Sequence, residues 1–147
     1  MHLKYNAYLA SGWFSDEQRQ SKSNIKQVCH ELGLCVFDPE AEDLCSAESS
    51  LDTQSQIFTG NLEAISNSEF VIVNTSGKDM GTIFEAGYSY KSMKPIVYYC
   101  EGLTGNFNLM LAQSGSCVAT TPEELRVHLL GIRADSKYWR SYNGKIE

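Results

Sequence analysis

A three-layer α/β fold, with five mainly parallel strands wound between helices, is predicted by three features of the sequence. Short apolar runs rich in β-branched residues, such as "FVIVN" (70–74), alternate with longer segments of helical periodicity. Glycine, serine or proline stands at most of the changes from one to the other. The 147 residues, 42% of them hydrophobic and 20% charged, suffice for one packed domain spanning 1–147. Strands that alternate with helices form β-α-β units, whose crossovers leave the strands parallel and both sheet faces covered.

Each element has its own reason. "LKYNAYLAS" (3–11) alternates and then runs apolar, as a strand entering a core does. "SDEQRQSKSNIKQVCHELG" (15–33) opens on Ser15 with Gln18 three residues on, the spacing of a capping box. Ile25, Val28, Cys29 and Leu32 follow at helical intervals, and Gly33 stops the helix. "LCVFDP" (34–39) is a short strand ended by proline, and the acidic "EAEDLCSAESS" (40–50) is a loop. Residues 51–69 carry Ile57, Phe58, Leu62 and Ile65 on one helical face, and 70–74 form a buried central strand. A helix from about Gly81 to Met93, a strand "KPIVYYC" (94–100), a short helix near 106–113, a strand at 116–120 and a helix at 122–132 complete the chain.

Composition excludes several classes of function. The net charge of −6 and the scattering of 12 Lys and Arg argue against nucleic acid as a partner. No stretch approaches the ~20 apolar residues of a membrane helix, and Lys4, Asn6 and Ser11 interrupt any signal-peptide run, so a cytoplasmic protein is expected. The five cysteines lack a C-x-x-C pair, and His2, His30 and His128 are isolated, so no metal, no cofactor and no disulfide are expected. "SGKD" is not a phosphate-binding P-loop: Ile72 replaces its first glycine and Asp79 replaces the Ser or Thr after Lys78.

Doubly wound sheets of the flavodoxin or Rossmann type bind ligands outside the carboxyl ends of their strands. That rule singles out residues 11–16, 74–81 and 100–108. In the first loop Gly12, Trp13 and Phe14 form either a plug for the core or a platform for a flat ligand such as a nucleobase. In the second, Asp79 and Glu85 are six apart, and Glu85 shares a helical face with Gly81, Thr82, Tyr88 and Ser89. A carboxylate near a helix N-terminus, facing the strand ends, is expected to stay ionised and able to act as a nucleophile.

Four motifs in order then resemble the nucleoside 2-deoxyribosyltransferases over nearly the whole chain. They are Tyr8 with "ASGWFSDEQ", "DMGTIFEAG" from Asp79 to Gly87, Lys94-Pro95, and Asn108-Leu109-Met110. The resemblance implies an enzyme that exchanges the base of a 2′-deoxynucleoside for a free purine or pyrimidine base through a covalent deoxyribosyl–Glu intermediate. Glu85 matches the nucleophile, Tyr8 the residue that orients it, and Asp79 a hydrogen-bonding partner of the leaving base. Gly12, Trp13, Phe14, Asn61, Gly81, Asn108 and Met110 match substrate-binding positions, with Asn108 and Met110 acting across a subunit boundary. A homo-oligomer is therefore implied, at least a dimer, with assembly up to a hexamer open. Nucleosides and nucleobases are the implied partners.

The chain departs from the family pattern at Asn61, in "TGNLEAI", where an Asp is usual. An amide cannot protonate a leaving base, which leaves base preference open. Two other readings also remain: a 2′-deoxynucleoside 5′-monophosphate N-glycosidase on the same fold, and a non-catalytic nucleotide-binding module.

Overall fold

The computed structural model describes residues 3–42 and 45–147. Its strands are β1 (Tyr5–Ala10), β2 (Val36–Phe37), β3 (Ser68–Asn74), β4 (Ile96–Tyr99) and β5 (Cys117–Ala119). Its α-helices are α1 (Asp16–Glu31), α2 (Leu51–Ser66), α3 (Met80–Lys91), α4 (Leu109–Ser114) and α5 (Pro122–Ala134). All strand pairs are parallel, in the order β2-β1-β3-β4-β5, so the expected five-stranded sheet of flavodoxin type is present.

Alternation along the strands divides the core. Ala7, Leu9, Phe70, Ile72 and Val97 face Ile25, Val28, Leu125 and Leu129 of α1 and α5. Tyr8, Ala10, Val71, Val73, Ile96 and Tyr98 face the other way, toward Ala64, Ile65 and Ala86 of α2 and α3. Both faces of β3 are buried, which is why that strand reads as an unbroken apolar run.

Local signals account for the helix ends. Ser15 and Gln18 form the expected capping box. Gly33 adopts φ +68° just beyond α1, a left-handed conformation that suits glycine. Several boundaries are shorter than the sequence suggests: β2 keeps two residues, because Asp38 caps a short 3₁₀ turn, Pro39–Ala41. Another 3₁₀ turn, Ser76–Lys78, links β3 to α3. Of the predicted acidic loop, Asp43 and Leu44 lie outside the described residues, as does His2. Cys29 and Cys117 are buried free thiols, and His128 hydrogen-bonds Tyr138 through Nδ1 at 2.9 Å.

Candidate active site

Helix α3 leans on the sheet with small side chains. Thr82, Ala86 and Ser89 are buried one turn apart, which lets the helix come close to β1, β3 and β4. Their face carries Glu85 to the sheet, where the fully buried Tyr8 donates its hydroxyl proton to Glu85 Oε2. Tyr8 is held in turn by Phe37 of β2, whose ring stacks on it at 5.5 Å between centroids with only 13° between planes. Tyr8 and Phe37 are also register partners, so the stack follows from the strand pairing itself.

The charge state of Glu85 corrects the expectation from sequence. Glu85 is the sixth residue of α3, beyond the free N–H groups of the first turn, and it is half-buried. Burial pushes its carboxyl from the ordinary 4.5 up to about 8. Tyr8 is the side-chain donor that stabilises the ionised form. The carboxylate is thus poised between proton and charge near neutral pH.

Asp79 is the N-cap of α3. Its Oδ2 accepts from the Thr82 amide and the Thr82 hydroxyl, each at 2.9 Å. Gly81 fits under this cap, since a Cβ there would approach Asp79 Oδ2 to 3.3 Å. Two of the predicted residues therefore share a structural task at the start of the helix that carries Glu85.

The loop after β1 holds Trp13 half-buried and Phe14 exposed, their rings 5.0 Å apart. The buried Lys22 ammonium lies 5.1 Å from the Trp13 ring and bonds Asp38 at 2.8 Å and Glu40 at 2.5 Å. Burial raises the Asp38 carboxyl, but Lys22 and Lys26 outweigh it and hold the group below the usual carboxylate range. Gly12 lies against Gln18, and a Cβ there would stand 2.7 Å from Gln18 Nε2 and push that amide aside.

Asn61, Asn108 and Met110 line two cavities. Asn61 is half-buried and lines a groove of about 290 Å³ with Lys4, Tyr5, Phe37 and Glu42; Phe37 is its link to Tyr8. Asn108 and Met110 line a second cavity of about 510 Å³ with Thr75, Lys78, Ile83 of α3, Phe107 and Glu147. The 145–147 segment is tied there by bonds from Phe107 N to Lys145 O at 2.9 Å and from Leu109 N to Glu147 O at 3.0 Å. Among the described residues, no three His, Cys, Asp or Glu side chains gather to hold a metal, and no helix is long and apolar enough to cross a membrane.

The profile of the nucleoside 2-deoxyribosyltransferase family matches residues 7–121, from the strand bearing Tyr8 to the last strand of the sheet. The chain belongs to that family. It resembles the solved 2-deoxyribosyltransferase of Bacillus psychrosaccharolyticus, with 29% identity, a TM-score of 0.72, and 82% of this chain and 89% of that one covered. A conserved protein of Enterococcus faecalis V583 shares the fold at 16% identity and a TM-score of 0.67, covering 84% of this chain and 96% of that one. A CMP N-glycosidase of Clostridium botulinum shares it at 15% identity and a TM-score of 0.56, with the same coverages of 84% and 96%. A search of curated proteins finds no match.

Two contributors escaped the sequence reading. Phe37 could have been found as the aromatic that ends the strand beside Tyr8. Gln18 has the spacing of a capping residue and closes the first motif, but what lies on either side of its amide depends on the fold.

Proposed function

We propose that the chain, as one domain over 1–147, exchanges the base of a 2′-deoxynucleoside for a free nucleobase through a deoxyribosyl ester of Glu85. The observation that supports this most directly is the Tyr8–Glu85 pair, set against the sheet on the close-packed face of α3. Tyr8 engages Oε2, leaving Oε1 of the ionised carboxylate to attack the anomeric carbon. The bond from that carbon to the base nitrogen breaks as the ester forms, and the nitrogen takes up a proton or leaves as the anion. A second base then attacks from the face the first one left, expels the carboxylate, and restores the β configuration by two inversions. The transition state resembles an oxocarbenium ion, which the adjacent carboxylate stabilises in a site with little water.

In this reading the exposed Phe14 ring, with Trp13 behind it, stacks on the base, and Asp79 hydrogen-bonds to the leaving base through Oδ1. Gly12 and Gly81 keep the two loops close to the substrate. Asn108 and Met110 complete the site of a neighbouring subunit in an oligomer, at least a dimer, working in the cytoplasm. The exposed apolar side chains fit that assembly: Phe58 of α2 and Phe84 of α3 meet at 5.9 Å, Met80 stands one turn before Phe84 on α3, and Met110 is exposed on α4.

Incubation with deoxyinosine or thymidine plus free adenine, followed by chromatography, tests the proposal. The expected product is deoxyadenosine. Free deoxyribose in its place, with or without adenine, would instead support the hydrolase reading. Donors left intact, including 2′-deoxynucleoside 5′-monophosphates, would leave the binding module.

A further inference from the structure

Gln18 lies at a junction that its role as a capping residue does not explain. Its side chain is 5% exposed, and its Oε1 accepts from the backbone N–H groups of Phe14 at 2.9 Å and Ser15 at 3.2 Å. Those two donors fix the orientation of the amide, so Nε2 points away from the cap. It points between two glycines. A Cβ on Gly12 would stand 2.7 Å from Nε2, and one on Gly77 would collide with the same amide group. Gly77 also adopts φ +73°, so both space and backbone favour glycine there.

These two glycines belong to different loops. Gly12 follows β1 and begins the loop that carries Trp13 and Phe14. Gly77 lies in the turn after β3, two residues before the Asp79 cap that starts the helix of Glu85. Further polar contacts run along the same seam: Asn74 Nδ2 donates to Ser11 Oγ at 3.0 Å, Asn74 Oδ1 accepts from Ser76 N at 3.2 Å, and Ser76 Oγ meets Ser21 Oγ at 2.9 Å. Ser21 stands one turn beyond Gln18 on α1, so one helix face grips the turn twice.

We infer that Gln18 is a positioning residue: its amide locks the loop bearing Trp13 and Phe14 to the turn that launches α3, and so fixes the base platform relative to Glu85. The inference rests on the base-exchange reading for its catalytic consequence. Its mechanical part stands on the packing alone. A local cap would order only residues 12–15, whereas a lock couples those residues to 76–82.

The test uses Gln18→Met, which keeps length without an acceptor, and Gln18→Glu, which keeps one at a position where capping boxes take either residue. Peptide-resolved hydrogen exchange on the intact protein is the first measurement. Gln18→Met is expected to speed exchange roughly tenfold or more in both 12–15 and 76–82, with β3 and β4 still protected, and Gln18→Glu to restore slow exchange. In the base-exchange assay Gln18→Met should lower kcat by roughly 10- to 100-fold, as expected of a displaced reacting group, and Gln18→Glu should recover most of it. Faster exchange confined to 12–15 would overturn the inference, as would unchanged exchange throughout. Should Gln18→Met fail to fold, Gly12→Ala presses on the same amide from the first loop and must still loosen 76–82. If the wild-type protein transfers no deoxyribose, the base-exchange reading fails, while hydrogen exchange still decides whether Gln18 is a lock.

Discussion

Glu85 combines two properties that pull against each other. Attack on an anomeric carbon needs the ionised carboxylate, yet burial raises its pKa to about 8. Below that value kcat/KM for the donor should climb about tenfold per pH unit and then level off; a profile flat down to pH 6 would show that the Tyr8 hydrogen bond keeps the group ionised. Stability should move the opposite way. An acid whose folded pKa exceeds its unfolded value holds a proton the unfolded chain has released, so its contribution is fully favourable below about 4.5 and is lost as pH rises toward 8. Glu85→Gln removes that loss. Its melting temperature should fall less than that of the wild type between pH 5 and pH 8.5, by the equivalent of a few kcal/mol; equal shifts would mean Glu85 titrates normally. Asn61 offers a separate test. Asn61→Asp supplies a group able to protonate a leaving base, and general acid help of ~10²–10⁴-fold leaves room for a visible gain in rate or a changed base profile. An unchanged rate and profile would place residue 61 away from the base.

At the scale of elements, the closeness of α3 to the sheet brings Glu85 to Tyr8. Ala86 is 1% exposed, with Thr82 and Ser89 equally buried on the same face. Ala86→Leu should overpack that contact, costing roughly 1–3 kcal/mol, and should lower activity more than stability by lifting Glu85 from Tyr8. Denaturation and steady-state kinetics on one preparation check this; full activity in a destabilised variant would break the link. Much of this level was legible beforehand. The run 70–74, the capping box at Ser15 and the Lys94-Pro95 entry to β4 are local signals, and they predicted elements that exist. The resemblance to the family also implies the pairing of Tyr8 with Glu85, which the structure contains. The raised pKa was not legible, because proximity to a helix N-terminus can be guessed from sequence while burial depends on what packs over the group. The capping role of Asp79 is likewise hidden: its spacing to Thr82 is that of an N-cap, but the motif draws attention to chemistry instead.

At the scale of the whole molecule, Asn108 and Met110 line a cavity that Thr75, Lys78 and Ile83 border from the β3–α3 side, and large apolar side chains lie exposed on α3 next to Glu85. Both facts fit a site completed by a second copy. Mixing Glu85→Ala with Asn108→Ala, each inactive alone, should then restore activity, to about a quarter of wild type for a randomly reassembled two-fold dimer. No recovery after subunit exchange would place both residues in one chain's site. Whether Glu85 carries the sugar has a more direct test. The protein is quenched in acid during turnover of deoxyinosine without acceptor, digested, and weighed peptide by peptide. One deoxyribosyl group is expected on the peptide containing Glu85, lost when adenine is added before the quench and absent from Glu85→Gln. A deoxyribosyl group on another residue, or base exchange at the wild-type rate by Glu85→Gln, would contradict it.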